Sequence, residues 1–188
     1  MTKSYESIII GAGAAGIMAT ITAAKEGKKV LLLEKLPQIA AKLKATGGGR
    51  CNLTNTLSNE DFMAKFGRNG RFMQDALRTF DSKALVEFFK SIGVETHAPD
   101  GFRVFPTSHS SQTIISALLD EMQRLDVDIL TSKKVENLLH VENQIVAVET
   151  EGEIFYAKNV ILATGGLGYP TLGADGDGHK IAKELGHH

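Results

Sequence analysis

A single cysteine, Cys51, in 188 residues excludes an internal disulfide. A lone thiol fits a reducing compartment, and the cytoplasm is the expected location. No apolar run approaches the roughly 20 residues that a membrane-crossing helix needs. No basic leader with an apolar segment and cleavage site precedes the first expected strand. Neither membrane association nor secretion is therefore expected. An excess of charge of one sign is also lacking, since 21 Lys and Arg balance 22 Asp and Glu for a net charge of −1. That balance gives no support to general binding of nucleic acid or of membrane surfaces. The histidines share no ligand spacing, and Asp175-Gly176-Asp177-Gly178 lacks the later glutamate and the length of a calcium loop, so no metal site is expected. Internal repeats and low-complexity linkers are missing too.

What is present is ordinary globular material, 43% hydrophobic and 23% charged, within the usual range of one domain of about 100–200 residues. The first thirty-five residues form a unit. Ser7-Ile8-Ile9-Ile10 is a continuous apolar run, the pattern of a strand buried on both faces. It runs into Gly11-Ala12-Gly13-Ala14-Ala15-Gly16 and then into a helix-forming stretch ending near Gly27. A second apolar run, Val30 to Leu33, stops at Glu34. Strand, glycine turn, helix, strand and acid together make the dinucleotide fingerprint, which a bare glycine pattern does not. Gly11 permits the tight turn, Gly13 lets the backbone approach a pyrophosphate, and Gly16 lets the helix lie close to the strands. The helix N-terminus, at Ala14 and Ala15, offers free N–H groups to phosphates. Glu34 is placed to accept hydrogen bonds from the adenosine ribose, and removing it is expected to weaken the cofactor and leave the fold intact. Its charge disfavours a 2′-phosphate, so NADP is set aside while NAD and FAD both remain.

Further along, Phe72, Met73, Ala76, Leu77 and Phe80 repeat at helical spacing and are expected in the core, as are Leu85, Val86, Phe89 and Ile92. Ile114 to Leu125 is a third amphipathic helix, and 127–130 a short strand. Three alternating runs between Val135 and Ala157 read as an antiparallel meander. Asn159 to Ala163 is a separate buried strand that opens into Thr164-Gly165-Gly166, and a last helix runs from His179 to Leu185.

A meander placed before a strand ending in Ala-Thr-Gly resembles the FAD-binding domain of the glutathione-reductase-like flavoproteins with two dinucleotide-binding domains. The expected fold is therefore α/β, a Rossmann-like FAD/NAD(P)-binding domain with a parallel sheet and a three-stranded antiparallel meander. Residues 42–55, KLKATGGGRCNLTN, are more specific. With GAGAAGIMAT (11–20), LLLEK (31–35) and ATGGLGYPTLGADGDGHKIAKELGH (163–187), they resemble the family of aminoacetone oxidase and of the flavoenzymes that reduce 3-dehydro bile acids. The resemblance covers the whole chain but about half of a family member. It implies that residues 1–188 are the N-terminal portion of an FAD-binding domain, with an inserted substrate domain and the return of the fold lying elsewhere in a longer protein. Ala40-Ala41 and Gly168 depart from the family's pattern.

Three glycines, Gly47, Gly48 and Gly49, can take positive φ and expose successive N–H donors as a nest for phosphate or flavin polar edges. Arg50 can bond a pyrophosphate bidentately, and Asn52 offers both a donor and an acceptor. Cys51 reads as a small buried residue packing the loop, because dithiol chemistry needs a partner that the chain lacks. By resemblance Lys42 and Thr46 lie beside the flavin, Lys35 follows the ribose acid, Val135 meets adenine through its backbone, and Ala163, Thr164, Gly165 and Gly166 pass close to the dinucleotide. The implied activity is that of an FAD-dependent oxidoreductase moving hydride between flavin N5 and a small amine or keto compound, with NAD(P)H or O2 as redox partner and neither nucleic acid nor membrane involved. No residue stands out as a catalytic acid or base. An NAD-dependent Rossmann dehydrogenase, and a cofactor-binding fragment without activity of its own, are the alternatives.

Overall fold

The computed structural model describes residues 3–187. Strand β1 (Ser4–Ile10) is followed by helix α1 (Ala14–Lys25), β2 (Val30–Leu33), α2 (Ala41–Ala45), β3 (Thr54–Asn55) and α3 (Asn59–Ala64). Next come α4 (Gln74–Thr79), α5 (Ser82–Ser91), β4 (Thr96–His97), β5 (Arg103–Pro106) and α6 (Ser111–Arg124). The chain ends in β6 (Asp128–Leu130), β7 (Val135–Val141), β8 (Gln144–Thr150), β9 (Glu153–Leu162) and α7 (Asp177–Glu184). These elements fall into two compact units, residues 1–42 with 119–188, and residues 43–118.

The first unit is built on a six-stranded sheet, among the described residues, in the order β6-β2-β1-β9-β8-β7. β1 pairs in parallel with β2, from Ser7↔Val30 to Ile10↔Leu33, and with β9, from Ser4↔Tyr156 to Ile10↔Leu162. Ile8, Ile9, Leu31 and Leu32 are all fully buried, which is why the two strands read as unbroken apolar runs rather than alternating ones. Helix α1 buries Gly16, Ile17, Thr20, Ile21 and Ala24, a stripe at helical spacing, and the chain leaves it through Gly27 at φ 73°. One core cluster joins Ile8, Ile10, Leu31 and Leu33 to Val135, Leu138, Val148 and Phe155 of the meander and to Ile181 of α7.

The meander and the strand expected after it differ from their sequence reading in two respects, continuity and burial, since Asn159, Ile161 and Leu162 are exposed where the sequence predicts a buried strand. The third alternating run and the strand expected at Asn159–Ala163 are a single strand, β9, because no glycine or proline between Glu153 and Leu162 interrupts extended backbone. Its first part pairs antiparallel with β8, from Thr150↔Glu153 to Ala147↔Tyr156, while its other edge runs parallel to β1 as far as Leu162. Beyond Tyr156 the β8-side edge of β9 has no strand against it among the described residues, and Ile161 and Leu162 are exposed there.

The second unit carries a small antiparallel sheet in the order β3-β5-β4. Its buried residues include Cys51, Phe89, Val94, Val104, Phe105, Ile114, Ile115 and Leu118. The Asp81 side chain caps α5 by accepting from the Lys83 and Ala84 N–H groups at 3.0 and 2.9 Å. The helical stripe expected from Phe72 to Phe80 is corrected. Residues 67–73 form a 3-10 turn and the α-helix begins only at Gln74. A period near 3.0 followed by one of 3.6 splits the stripe. Phe72 is left 94% exposed and Phe80 is exposed as well, so neither belongs to the core.

Candidate cofactor-binding site

The glycine turn of the first unit gives each glycine a separate task. Gly11 has φ 102°, and a Cβ there would lie 2.6 Å from the Ala163 carbonyl oxygen. A Cβ on Gly16 would overlap the Gly11 carbonyl oxygen. Both positions are closed to any side chain, one by the neighbouring strand end and one by the turn itself. Around Gly13 nothing comes within 4 Å of a Cβ, so that face of the turn is open. Gly13 is also the N-cap of α1, with no side-chain hydrogen bond at the cap and no acid in the first turn. The first N–H groups of α1, from Ala14, Ala15 and Gly16, thus point out of the helix with no side chain to satisfy them. The site fits an anionic dinucleotide: an open backbone face lies next to an uncapped helix N-terminus.

The turn after β9 borders the same space. The Ala163 N–H donates to the Ile10 carbonyl at 2.8 Å, which extends the parallel register of β1 and β9 into the two turns. Thr164 is partly buried, and a Cβ on Gly178, at the start of α7, would overlap its Oγ1. Gly165 takes φ 76°, and Gly166 has open space beside it. Gly11, Gly13, Ala163 and Thr164 therefore converge at the carboxyl ends of adjacent parallel strands, where open α/β sheets hold their ligands.

Glu34 behaves differently from the simple ribose acceptor that its position predicts. Its Oε2 accepts from the Ala12 N–H at 2.8 Å and its Oε1 from the Leu36 N–H at 2.9 Å. The residue is only 9% exposed. The carboxylate ties the glycine turn to the segment leaving β2, and each oxygen keeps one acceptor position for a further donor. The segment is secured again by main-chain bonds from Ser132 N–H to the Leu36 carbonyl (3.0 Å) and from Lys133 N–H to the Glu34 carbonyl (2.9 Å). These bonds bring the start of β7, with buried Val135, alongside the Glu34 turn. Lys35 is turned away from a free role. Its Nζ bonds both Asp175 oxygens at 2.6 and 2.7 Å and Asp177 at 2.9 Å. Burial works against the Lys35 charge, but its bonds to Asp175 and Asp177 outweigh that and raise its pKa. The bond from Lys35 in turn lowers the pKa of Asp175. Lys42 is exposed, with Nζ 6.0 Å from the centre of the Tyr169 ring. Tyr169 has φ 65° and is itself exposed, and the Gly-x-x-Gly-Tyr-Pro spacing before it gave no sign of that contact.

In the second unit the TGGGRCN stretch forms a tight turn with a run of left-handed residues: Gly47 (φ 59°), Gly48 (φ 66°), Gly49 (φ 85°) and Cys51 (φ 60°). Gly47 is fixed by contact as well, since a Cβ there would lie 2.9 Å from the Asn52 nitrogen. The Cys51 N–H donates to the Thr46 carbonyl at 3.1 Å. Arg50 donates through Nε to the Gly47 carbonyl at 3.2 Å, and its guanidinium lies 5.1 Å from the centre of the Phe105 ring. Exposed and stacked in this way, Arg50 keeps its other N–H groups free for an anion. With its amide nitrogen turned towards them, Asn52 donates to the Thr54 and Val104 carbonyls at 3.0 and 3.3 Å, so its side chain braces β3 against β5. Burial pushes the Cys51 thiol up to about 11, the opposite of a thiol activated for redox work. Among the described residues there is no group of three or more His, Cys, Asp or Glu side chains placed to hold a metal. No helix among them is long and apolar enough to cross a membrane.

Residues 5–188 match the profile described as the HI0933-like protein Rossmann domain. The chain belongs to this family. It is 36% identical to the 3-dehydro-bile acid delta(4,6)-reductase of Clostridium scindens over 181 residues, which are 95% of this chain and 43% of that one. It is 31% identical to the ribosomal RNA dihydrouridine synthase of Escherichia coli K12 over 184 residues, 98% of this chain and 45% of that one. The chain thus spans less than half the length of these curated relatives. Among solved structures, a flavocytochrome c3 fumarate reductase superposes with a TM-score of 0.74 at 23% identity, covering 99% of this chain and 41% of that one. That likeness is one of fold. The family and the fold bear out the Rossmann-like α/β reading, and the cofactor to which they point is FAD.

Proposed function

We propose that this chain is the cofactor-binding part of an FAD-dependent oxidoreductase that reduces a carbon–carbon double bond conjugated to a carbonyl group. The observation that carries the reading is the turn at Gly11–Gly16, closed against Ala163 on one side and open at Gly13 on the other, in a member of the HI0933-like family. FAD, when bound, supplies a hydride donor at flavin N5. The chain's part is to bind and orient. The first N–H groups of α1 meet the pyrophosphate, Glu34 uses its remaining acceptor positions for the ribose hydroxyls, and the Val135 backbone meets adenine. The second unit belongs to the same reading, with Lys42 (at the end of the first unit) and Thr46 to Asn52 on the flavin side and residues 1–188 serving as one FAD-binding domain.

The substrate class is argued from chemistry shared by two relatives. A delta(4,6)-reductase of a 3-dehydro bile acid acts on double bonds in conjugation with a 3-keto group. A dihydrouridine synthase saturates the uracil ring double bond, which is conjugated to a ring carbonyl. Saturating a double bond of either kind calls for a hydride at the carbon made electrophilic by the carbonyl and a proton at the adjacent carbon. This favours a keto compound over an amine. It leaves two carriers of the double bond, a free small molecule and a pyrimidine within RNA. The reductant is taken to be NAD(P)H, with O2 as the alternative oxidant of the reduced enzyme, and the setting the cytoplasm, in keeping with one unpaired, buried cysteine.

The test uses the full-length protein. It is expected to purify yellow, to release FAD and not FMN on heating, and to couple NAD(P)H consumption to loss of the conjugated-enone absorbance of a 3-keto-Δ4 steroid or to dihydrouridine formation in RNA. A colourless protein that binds NAD tightly would replace this reading with that of a nicotinamide dehydrogenase. A flavoprotein that oxidises amines and leaves both alkene classes untouched would refute the substrate class.

A further inference from the structure

The second unit carries a surface that the cofactor does not account for. Between Lys65 and Met73 the sequence has three cations, Lys65, Arg68 and Arg71, and no acid. In the same stretch Phe66 is 51% exposed and Phe72 94% exposed. With Arg68, Asn69 and Met73 these two rings frame an open hollow of about 510 Å3. A phenyl ring held almost wholly in water runs against the usual burial of phenylalanine, and a cluster of such rings marks a binding surface.

The hollow is built on a fixed turn. Gly70 is buried, and a Cβ on it would overlap the Met63 carbonyl oxygen of α3, so the 3-10 turn is pressed directly onto that helix. The Phe66 N–H donates to the Met63 carbonyl at 3.0 Å and the Asn69 N–H to the Phe66 carbonyl at 3.3 Å. Phe66 packs against Phe62, with ring centres 5.3 Å apart, which sets the orientation of one wall.

Of the three cations only Arg68 lines the hollow, and Lys65 and Arg71 flank it in the sequence. Arg68, Arg71 and Lys65 are exposed and form no ion pair among the described residues. Of the acids that flank this stretch in the sequence, Asp61 accepts from Ser58 Oγ at 2.8 Å, Asp75 faces Arg78 at 3.7 Å, and Asp81 caps α5. Glu60, in the first turn of α3, complements that helix dipole. Exposed flat rings beside unpaired guanidinium groups are the two components of single-strand recognition, in which bases stack on aromatic faces and cations track the phosphates. An acidic peptide would use the cations and leave the rings idle.

We propose that the hollow framed by Phe66, Arg68, Asn69, Phe72 and Met73 is a docking platform for single-stranded RNA. Bases stack on Phe66 and Phe72, and phosphates are met by Lys65, Arg68 and Arg71. The inference goes beyond the reduction reading, because strand binding is scored without cofactor or turnover and its failure leaves that reading standing. Where the reduction reading holds, on which this point rests, the platform favours RNA as the carrier of the double bond, and it reverses the expectation, drawn from net charge, that nucleic acid plays no part. A balanced net charge is compatible with a local basic face.

Fluorescence anisotropy with a short labelled oligouridine at low salt tests it. The wild-type chain is expected to bind, with affinity falling as salt rises. Phe72→Ala is expected to weaken binding about tenfold and to leave the salt slope unchanged. Arg68→Ala with Arg71→Ala is expected to lower the slope by about 1.4, the contribution of two single-strand phosphate contacts. Both sets of side chains are exposed, and unchanged circular dichroism and melting would show that the fold persists. Absence of wild-type binding, equal binding by the variants, or competition by polyglutamate as strong as by unlabelled oligouridine would each overturn the proposal.

Discussion

A carboxylate that accepts two main-chain N–H bonds while nine-tenths buried contributes to the fold as well as to any ligand. Glu34 holds Ala12 and Leu36 at once, so the expectation that its loss would spare the fold does not survive the structure. Hydrogen bonds to a charged group are worth about 1.5–3 kcal/mol each, and N–H groups left unpaired add a desolvation cost. Glu34→Ala is therefore expected to lower unfolding free energy in the absence of FAD by about 2 kcal/mol or more, and to weaken FAD as well. Urea denaturation of the cofactor-free chain separates the two effects, and an unchanged midpoint would show that the two bonds are not retained in solution. Cys51 gives a second test with a definite sign. Burial raises its folded pKa to about 11, so the fold favours the neutral thiol. The associated stability is fully present below the ordinary thiol value of about 8.5 and is lost as pH rises through about 11. Cys51→Ala is expected to flatten the alkaline limb of a plot of stability against pH, and native Cys51 to resist iodoacetamide at neutral pH. Rapid alkylation of the folded chain would contradict the buried assignment.

At the scale of elements, the dinucleotide fingerprint was legible because each glycine answers a local steric demand that recurs wherever a strand turns into a phosphate-facing helix. The pattern even distinguishes the glycines from one another. Gly16→Ala would press a methyl group into the Gly11 carbonyl oxygen and force α1 off the sheet, at a cost of about 1–3 kcal/mol or more. Gly13 has a φ of −81° and open space beside it, so Gly13→Ala is expected to keep the melting temperature within the small penalty of a poorer cap, about 1 kcal/mol, while FAD binding falls. Melting curves with and without FAD check both halves of the contrast, and equal losses of stability would refute it. Two other elements were not legible, for different reasons. β9 reads as two strands because alternating residues up to Ala157 give way to the unbroken apolar run Val160-Ile161-Leu162, while its backbone has no breaker. Phe72 was placed in the core because a stripe of apolar residues looks the same on a 3-10 turn and on an α-helix until the period is counted through Gly67–Met73.

For the whole molecule, the question is which half of FAD these residues can hold. The features suited to the ADP half sit in the first unit: the uncapped start of α1, the open face at Gly13, Glu34 and the start of β7. One edge of β9 beyond Tyr156 has no strand against it among the described residues, and Ile161 and Leu162 are exposed there. That exposed edge lies directly before the Ala163–Gly166 turn assigned to the dinucleotide. Walls that exclude water from the isoalloxazine would have to rise in this region, since pockets typically bury about 70–90% of a ligand. The 188-residue chain is therefore expected to bind ADP and FAD with affinities within about tenfold of each other, a difference of about 1.4 kcal/mol. It is also expected to bind FAD far more weakly than the full-length protein and to show no turnover with an electron donor. Titration of the chain with ADP and with FAD, followed by calorimetry or flavin fluorescence, measures the difference. An FAD affinity a hundredfold or more above that of ADP, about 2.7 kcal/mol, would show that the flavin half is already gripped by residues 1–188. The exposed edge of β9 would then need another explanation.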